Sequence, residues 1–354
     1  MLKETAAKNP AVARYFMGSL WYGWICFCPM TVVLGEIQDG ASPWRIERNA
    51  AEKKDFFAAD VFKKTGIHLE KITSKKYGYV PFVGQNSKRN HIFYRPADAV
   101  ISSIVLHDTI GSLFSTLNKF SDAKEPLLNA HYVVTQRDKN ISGGIAIEMV
   151  PPEYMAQHAW PSWFGGKDDC NQFSIGIELV GKGFVSHGGK RFFYPYDADQ
   201  IKTLGPLLQG LVQKYGIRPE NIHSHGDVSP QRKYDVTIAF PWKTLYEKYG
   251  VGMGLSTNEN TEQAIVKKYQ PVVPLPQKFD GLFFQKCLSQ LGYDTRFAED
   301  ASLSSADRGG KWTNVYQAFY GHFSRNGESP RWRGSPDYKD MFWAWALLAK
   351  YFQS

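Results

Sequence analysis

Cysteine is scarce in this 354-residue chain. Its four residues, Cys26, Cys28, Cys170 and Cys287, are too few and too scattered for a disulfide framework or a four-thiolate zinc site. Long apolar runs are scarcer: only residues 15–35 are uncharged over a length that could span a bilayer, which excludes a multi-pass membrane protein. An acidic surplus is missing too, since 42 basic against 34 acidic residues leave a net charge of +8. That charge suits an anionic partner such as nucleic acid, a membrane or a cell-wall polymer. The basic residues are dispersed and no nucleic-acid motif accompanies them, so nucleic acid is not the expected partner. No tandem repeat is visible. What is present is a globular balance, 43% hydrophobic and 21% charged, over a length that admits two or three domains; it excludes wholesale disorder.

Lys3, Lys8 and Arg14 precede the uncharged run, and Glu36 and Asp39 follow it. Twenty-one helical residues reach about 31 Å, one hydrocarbon thickness. Basic residues before the run and acidic ones after it favour a cytoplasmic N-terminus and an exported body. Residues 1–35 therefore read as a cleavable signal or a retained anchor tethering the chain through 15–35, unless translation starts further downstream. Export places the body in the periplasm or cell envelope, with Cys170 and Cys287 in an oxidising compartment.

Residues 36–94 form a charged extension with a helix pattern over 45–64 and no chemistry. A strand is expected from Ala99, ending at His107-Asp108-Thr109. A second runs through 173–179 with a period of two: Phe173, Ile175, Ile177 and Leu179 on one face, Ser174, Gly176 and Glu178 on the other. A helix fits 199–215, with Asp197 and Gln200 as a capping box, Gly216 as its stop and Pro206 as an expected kink. Strands alternating with helices predict an α/β domain over 95–253, with a mixed central sheet flanked by helices. Residues 254–277 read as a linker, with Pro271, Pro274 and Pro276. Beyond them, three helical patterns predict a small all-α domain over 278–354, its last helix apolar nearly all round.

Of nine histidines, His68, His91, His187 and His322 have no acidic or histidine partner at an informative spacing and read as surface or satisfied side chains. His107 ends an apolar strand, where side chains emerge at the rim of an α/β sheet. His225 and Asp235, ten residues apart across a loop containing Pro230, can fold back onto one ion. With His107 they supply two imidazoles and a carboxylate, a set suited to a catalytic zinc with an open fourth position; cobalt or iron use similar ligands. Glu178 sits on the small-residue face of its strand. Ser174 and Gly176 beside it leave room for a ligand there, and a carboxylate near activated water can shuttle protons.

Four segments in order, His107-Asp108-Thr109, Asn129-Ala130-His131-Tyr132-Val133-Val134, 171–178 and 225–235, resemble the zinc-dependent N-acetylmuramoyl-L-alanine amidases of the AmpD/AmiD type. That fold is shared with phage endolysins and peptidoglycan recognition proteins. The resemblance covers about 92–250. It implies one zinc per chain held by His107, His225 and Asp235, Glu178 as catalytic acid/base, and Lys233 stabilising the oxyanion. His131 and His158 lie in segments that resemble the family's and read as substrate-binding pocket residues or as supports behind the pocket, with core packing the alternative. The implied reaction is hydrolysis of the amide between the lactyl group of N-acetylmuramic acid and L-alanine in peptidoglycan or muropeptides, by a monomer. A non-catalytic recognition protein on the same fold is the alternative. The family pattern continues past the aspartate with Pro-Gly where this chain has Val236-Thr237, so the loop after Asp235 is expected to differ. More weakly, 284–294 and 316–323 resemble the three-helix peptidoglycan-binding module that accompanies AmiD-type enzymes; a helical cap that only packs on the amidase domain is the alternative.

Overall fold

The computed structural model describes residues 93–121, 128–137, 143–187, 190–255, 262–270, 273–323 and 335–352. Segment 1–35, nearly all of the 36–94 extension with its expected helix, and His68 and His91 lie outside the described residues.

Five strands form the central sheet: β1 Ser103–Asp108, β2 Tyr132–Val134, β3 Ala146–Glu148, β4 Ser174–Leu179 and β5 Ile222–Ser224. Their order is β5-β1-β4-β2-β3, with every neighbouring pair parallel except β2 and β3, which run antiparallel at one edge. Parallel strands are covered on both faces, and β4 shows it: all six of its residues are buried. The alternation in 173–179 therefore separates two buried faces, one aliphatic and one small and polar. The first strand starts at Ser103 rather than Ala99, since the side chain of Val100 stands out in solvent.

Helix α1, Leu113–Ser121, lies in the β1–β2 crossover, and α2, Ala198–Tyr215, in the β4–β5 crossover. The Asp197 carboxylate accepts from the Asp199 N–H to start α2, and Gly216 ends it at φ 63, a left-handed conformation that glycine adopts without steric cost. Gln200 does not complete the expected capping box. Its amide turns inward and donates to the Val134 and Val180 carbonyls, tying α2 to the sheet. The helix continues as one element through Pro206. A single turn, α3, spans His225–Val228, and α4 spans Trp242–Tyr249.

The stretch read as a linker carries a helix of its own, α5 Glu262–Tyr269, which buries Ile265 and Tyr269. Helices α6 Gly281–Gln290, α7 Ser305–Phe323 and α8 Tyr338–Tyr351 follow, where the three patterns placed them. One apolar cluster runs from Val105, Phe164 and Val228 of the sheet region through Ile265 to Phe284, Phe319 and Trp345. The C-terminal helices thus share a core with the sheet region. In α8, Met341, Ala344, Trp345, Ala346 and Leu347 are fully buried, and the Trp345 indole N–H donates to the Val273 carbonyl. Such all-round burial is why its sequence lacks a polar face. Among the described residues no helix is long and apolar enough to cross a membrane. Cys170 and Cys287 are free thiols, and burial pushes both up to about 12, where they stay protonated and inert.

Candidate active site

The site follows from strand register. In the parallel pair β1–β4, His107 stands opposite Glu178. On the other side of β1, Ser224 of β5 stands opposite Leu106, so the chain leaves the sheet at His225. Three adjacent strands thereby deliver a histidine, a glutamate and a second histidine to one carboxyl-end rim, where open parallel sheets place their sites. Ser224 caps α3 in a reciprocal box with Asp227, which fixes the turn that carries His225. The chain then folds back: the Gly226 N–H donates to the Asp235 carbonyl at 2.6 Å, returning the Asp235 side chain to His225.

Three ligand-type atoms converge there. His107 Nδ1 lies 2.9 Å from His225 Nδ1, which lies 3.1 Å from Asp235 Oδ2; the third side of the triangle is 3.6 Å. All three residues are buried. Atoms about 2.0–2.2 Å from a tetrahedral zinc stand roughly 3.3–3.6 Å apart, so the triangle has the size of a metal site. The charge state fits as well. Burial, then the neighbouring His225, lowers His107 to about 4, and burial lowers His225, so both imidazoles are neutral and able to ligate. Burial opposes ionisation of Asp235, but the two histidines overcome it and hold the carboxylate well below its usual range. Two neutral rings and one anion, facing one another with a single proton to share, are a site built for a cation.

His107 is oriented from behind. Its Nε2 lies 2.9 Å from His158 Nδ1, and His158 Nε2 lies 3.2 Å from Ser174 Oγ, which itself donates to the Cys170 carbonyl. The chain of partners puts a proton on each Nε2 and leaves the His107 Nδ1 lone pair facing the site, the usual outer support of a ligating histidine. His158 occupies the space that Ser174 and Gly176 were expected to leave for a ligand: a Cβ on Gly176 would lie 2.4 Å from the His158 ring. That expectation is corrected, because the glycine makes room for an imidazole. His158 still lines the cavity beside the site, whereas His131 does not. His131 is fully buried, accepts from the Gly176 N–H at Nδ1 and contacts the Tyr154 carbonyl through Nε2. It braces β4, so of the two readings it takes core packing and not the substrate pocket.

Glu178 faces the same cavity, whose volume is about 1130 Å³, and its Oε2 is buried with no hydrogen-bond partner. Burial, with the charges of Asp235 and Asp108 adding to it, raises this carboxyl to about 8. Lys233 lines the cavity, and so does Lys119 of α1, which the sequence reading missed; both positive charges favour the ionised form of Glu178. A second group went unread. Asp108, raised by burial to about 7, accepts from the Tyr196 hydroxyl at 2.6 Å and from the Thr237 N–H at 2.9 Å. The departure at Val236-Thr237 is thus anchored directly onto the residue after His107, with Val236 buried. The Asp235–Val236 peptide is cis. Trp160 and Arg232 form part of the cavity wall, the guanidinium donating to the Trp160 and Pro161 carbonyls.

Comparison with known proteins places these residues in a family context. A family model described as N-acetylmuramoyl-L-alanine amidase matches residues 97–237. The N-acetylmuramoyl-L-alanine amidase AmiD of Escherichia coli K12 is 30% identical over 254 residues, 72% of this chain and 84% of that protein. The 1,6-anhydro-N-acetylmuramyl-L-alanine amidase AmpD of Enterobacter cloacae is 35% identical over 103 residues, 29% of this chain and 50% of its own length. Among solved structures, AmiD from E. coli in complex with the substrate anhydro-N-acetylmuramic acid-L-Ala-D-gamma-Glu-L-Lys aligns with a TM-score of 0.58 at 29% identity, covering 73% of this chain and 94% of that one. AmpDh3 from Pseudomonas aeruginosa in complex with anhydromuramic pentapeptide has the same fold, with a TM-score of 0.56 at 23% identity over 77% of this chain and 97% of its own.

Proposed function

The chain belongs to the N-acetylmuramoyl-L-alanine amidase family of the AmiD type and is an amidohydrolase of that class, and from this premise we propose how its residues carry the reaction. The observation that supports the assignment most is the convergence of His107 Nδ1, His225 Nδ1 and Asp235 Oδ2 beside the unpartnered Glu178 carboxyl. These three residues hold one zinc ion. Zinc, when bound, supplies Lewis-acid polarisation of the scissile carbonyl and acidifies the attacking water. Glu178 takes a proton from that water and returns it to the amine of L-alanine as the C–N bond breaks, leaving a carboxylate on the lactyl group. Lys233 meets the negative charge that builds on the carbonyl oxygen in the tetrahedral transition state, an interaction worth about 3–4 kcal/mol in comparable sites.

Muropeptides of the kind bound to the E. coli relative are the proposed substrates, seated in the cavity between Glu178, Trp160 and Lys233. We also propose that residues 1–35 direct or tether the body across a membrane to the periplasm or envelope, that 278–354 is a wall-binding module on the 95–253 catalytic domain, and that the chain works as a monomer. The flanking charge pattern of 15–35 supports the first of these, and the helix motifs of 284–294 and 316–323 support the second.

Digestion of purified peptidoglycan by the full chain, with and without zinc, tests the reading by mass spectrometry. Stem peptides beginning with L-alanine should be released, and both chelation and Glu178→Ala should abolish their release. Peptidoglycan that retains the protein but stays intact would instead make it a recognition protein and withdraw the catalytic roles.

A further inference from the structure

We propose that the C-terminal helical region positions the metal-binding loop, through two hydrogen bonds, from α7 and from the turn after α6, that end on the carboxylate of Asp227. The inference rests on His225 and Asp235 being metal ligands.

Asp227 lies in the single turn that His225 opens. Its Oδ2 accepts from the Ser224 N–H at 2.7 Å and from the Ser224 hydroxyl at 2.8 Å, which secures the start of the turn. The other two donors come from far along the chain. The Tyr293 hydroxyl donates to Oδ1 at 2.7 Å, and His322 Nδ1 lies 2.7 Å from Oδ2. Four donors nearly saturate a carboxylate, and all the residues involved are buried. A buried anion with this many partners holds its neighbours in one arrangement, because losing any donor leaves part of the charge unpaired.

One distant donor, His322, is on α7 and the other, Tyr293, is in the turn that follows α6, and neither was read this way from sequence. Tyr293 closes the run that resembles a wall-binding motif, yet its side chain is 3% exposed and points at the loop carrying His225. His322 was set aside for want of an acidic partner; Asp227, 95 residues away, is that partner. The His322 ring is stacked on Trp242 at 3.7 Å and on Phe323 at 4.0 Å, so it cannot swing aside. A second link lies further round the same loop. Gln231 donates to the Lys311 carbonyl at 3.1 Å and accepts from the Asn314 amide at 3.0 Å, both on α7. Val228, between these points, belongs to the core shared with α6, α7 and α8. The loop from His225 to Asp235, which carries two ligands and Lys233, is therefore held from outside by α7 and the segment after α6. Asp227, Tyr293 and His322 are positioning residues that act on the metal site through α3.

The test uses the full chain and compares the parent with Tyr293→Phe, His322→Ala, the double variant and His322→Asn. Asparagine places an amide N–H where histidine has Nδ1. Zinc dissociation constants come from chelator competition, and kcat and KM from a soluble muropeptide at saturating zinc. The double variant should bind zinc at least tenfold more weakly and lose kcat several-fold with KM within twofold, and His322→Asn should recover most of the single-variant loss. Leu347→Ala, in the core of α8 away from Asp227, should lower Tm without moving zinc affinity. An unchanged zinc affinity in the double variant, or an equal loss in Leu347→Ala, would overturn the proposal. His225→Ala separates the two levels: if it binds zinc like the parent, the ligand assignment fails, whatever the Tyr293 and His322 variants do.

Discussion

Replacing Gly176 with alanine tests whether the glycine exists to seat His158. The backbone there is ordinary strand, so alanine brings no conformational penalty of its own. Its Cβ would stand 2.4 Å from His158 Cγ, 2.6 Å from Cδ2 and 2.7 Å from Nδ1, where ordinary contact begins at 3.4 Å. The ring must retreat by about 1 Å, the difference between 3.4 and 2.4 Å. It cannot do so and keep both its bonds, to His107 at 2.9 Å and to Ser174 at 3.2 Å. Overpacking costs about 1–3 kcal/mol and each lost hydrogen bond about 1 kcal/mol, giving roughly 3–5 kcal/mol in all. Freeing His107 from its support should also weaken zinc binding about 10–100-fold. Thermal unfolding and chelator competition read the two effects. A double variant with His158→Ala removes the clash, so Gly176→Ala should add almost nothing to it. If Gly176→Ala leaves Tm and zinc affinity at parental values, or if the two changes are fully additive, the seating argument is wrong.

Other expectations follow from the same geometry. Glu178 is raised to about 8 by burial, so in the zinc-free chain its neutral form contributes stability below about pH 4 that is lost as pH rises toward 8. Zinc-free Glu178→Gln stays neutral, so its stability advantage over the parent should grow from pH 4.5 to 8 and then level off. Urea titrations across that range check the sign, and an advantage that shrinks with pH would refute it. Tyr196→Phe removes the hydroxyl that donates to Asp108, leaving a half-buried carboxyl short of a partner. It should cost about 1.5–3 kcal/mol by denaturant unfolding. It should also raise the Asp108 titration above about 7, visible by carboxyl NMR of the zinc-free chain. Trp345→Ala empties the centre of α8, where the indole is fully buried, and should cost about 3–5 kcal/mol. Because the helices share one core with the sheet region, unfolding should remain a single transition.

Much of this fold is written in local pattern, and the site contacts that are not share one cause. The alternation through 173–179, the Asp197 cap, the Gly216 stop and the three C-terminal helices depend on residues within a few positions of one another, so a linear reading finds them. The same holds for His225 and Asp235, which return to each other across a single loop. His107 was found because a strand end announces itself. The site partnerships that went unread involve side chains brought together by sheet register or helix docking: His158 with His107, 51 residues apart, Tyr196 with Asp108, 88 apart, and His322 with Asp227, 95 apart. No spacing rule reaches that far. A linear reading does retain a weaker signal. His322 sits in α7 between Phe319 and Phe323, on a helix whose buried face is mostly aromatic. Burying an imidazole without a partner costs about 1–3 kcal/mol, so a histidine in that setting requires an acceptor somewhere in the fold. Sequence can state that requirement, but only the docked structure names Asp227. The partner found is a carboxylate already holding the metal-binding turn, which is why a residue set aside as satisfied becomes a link between the helices and the site.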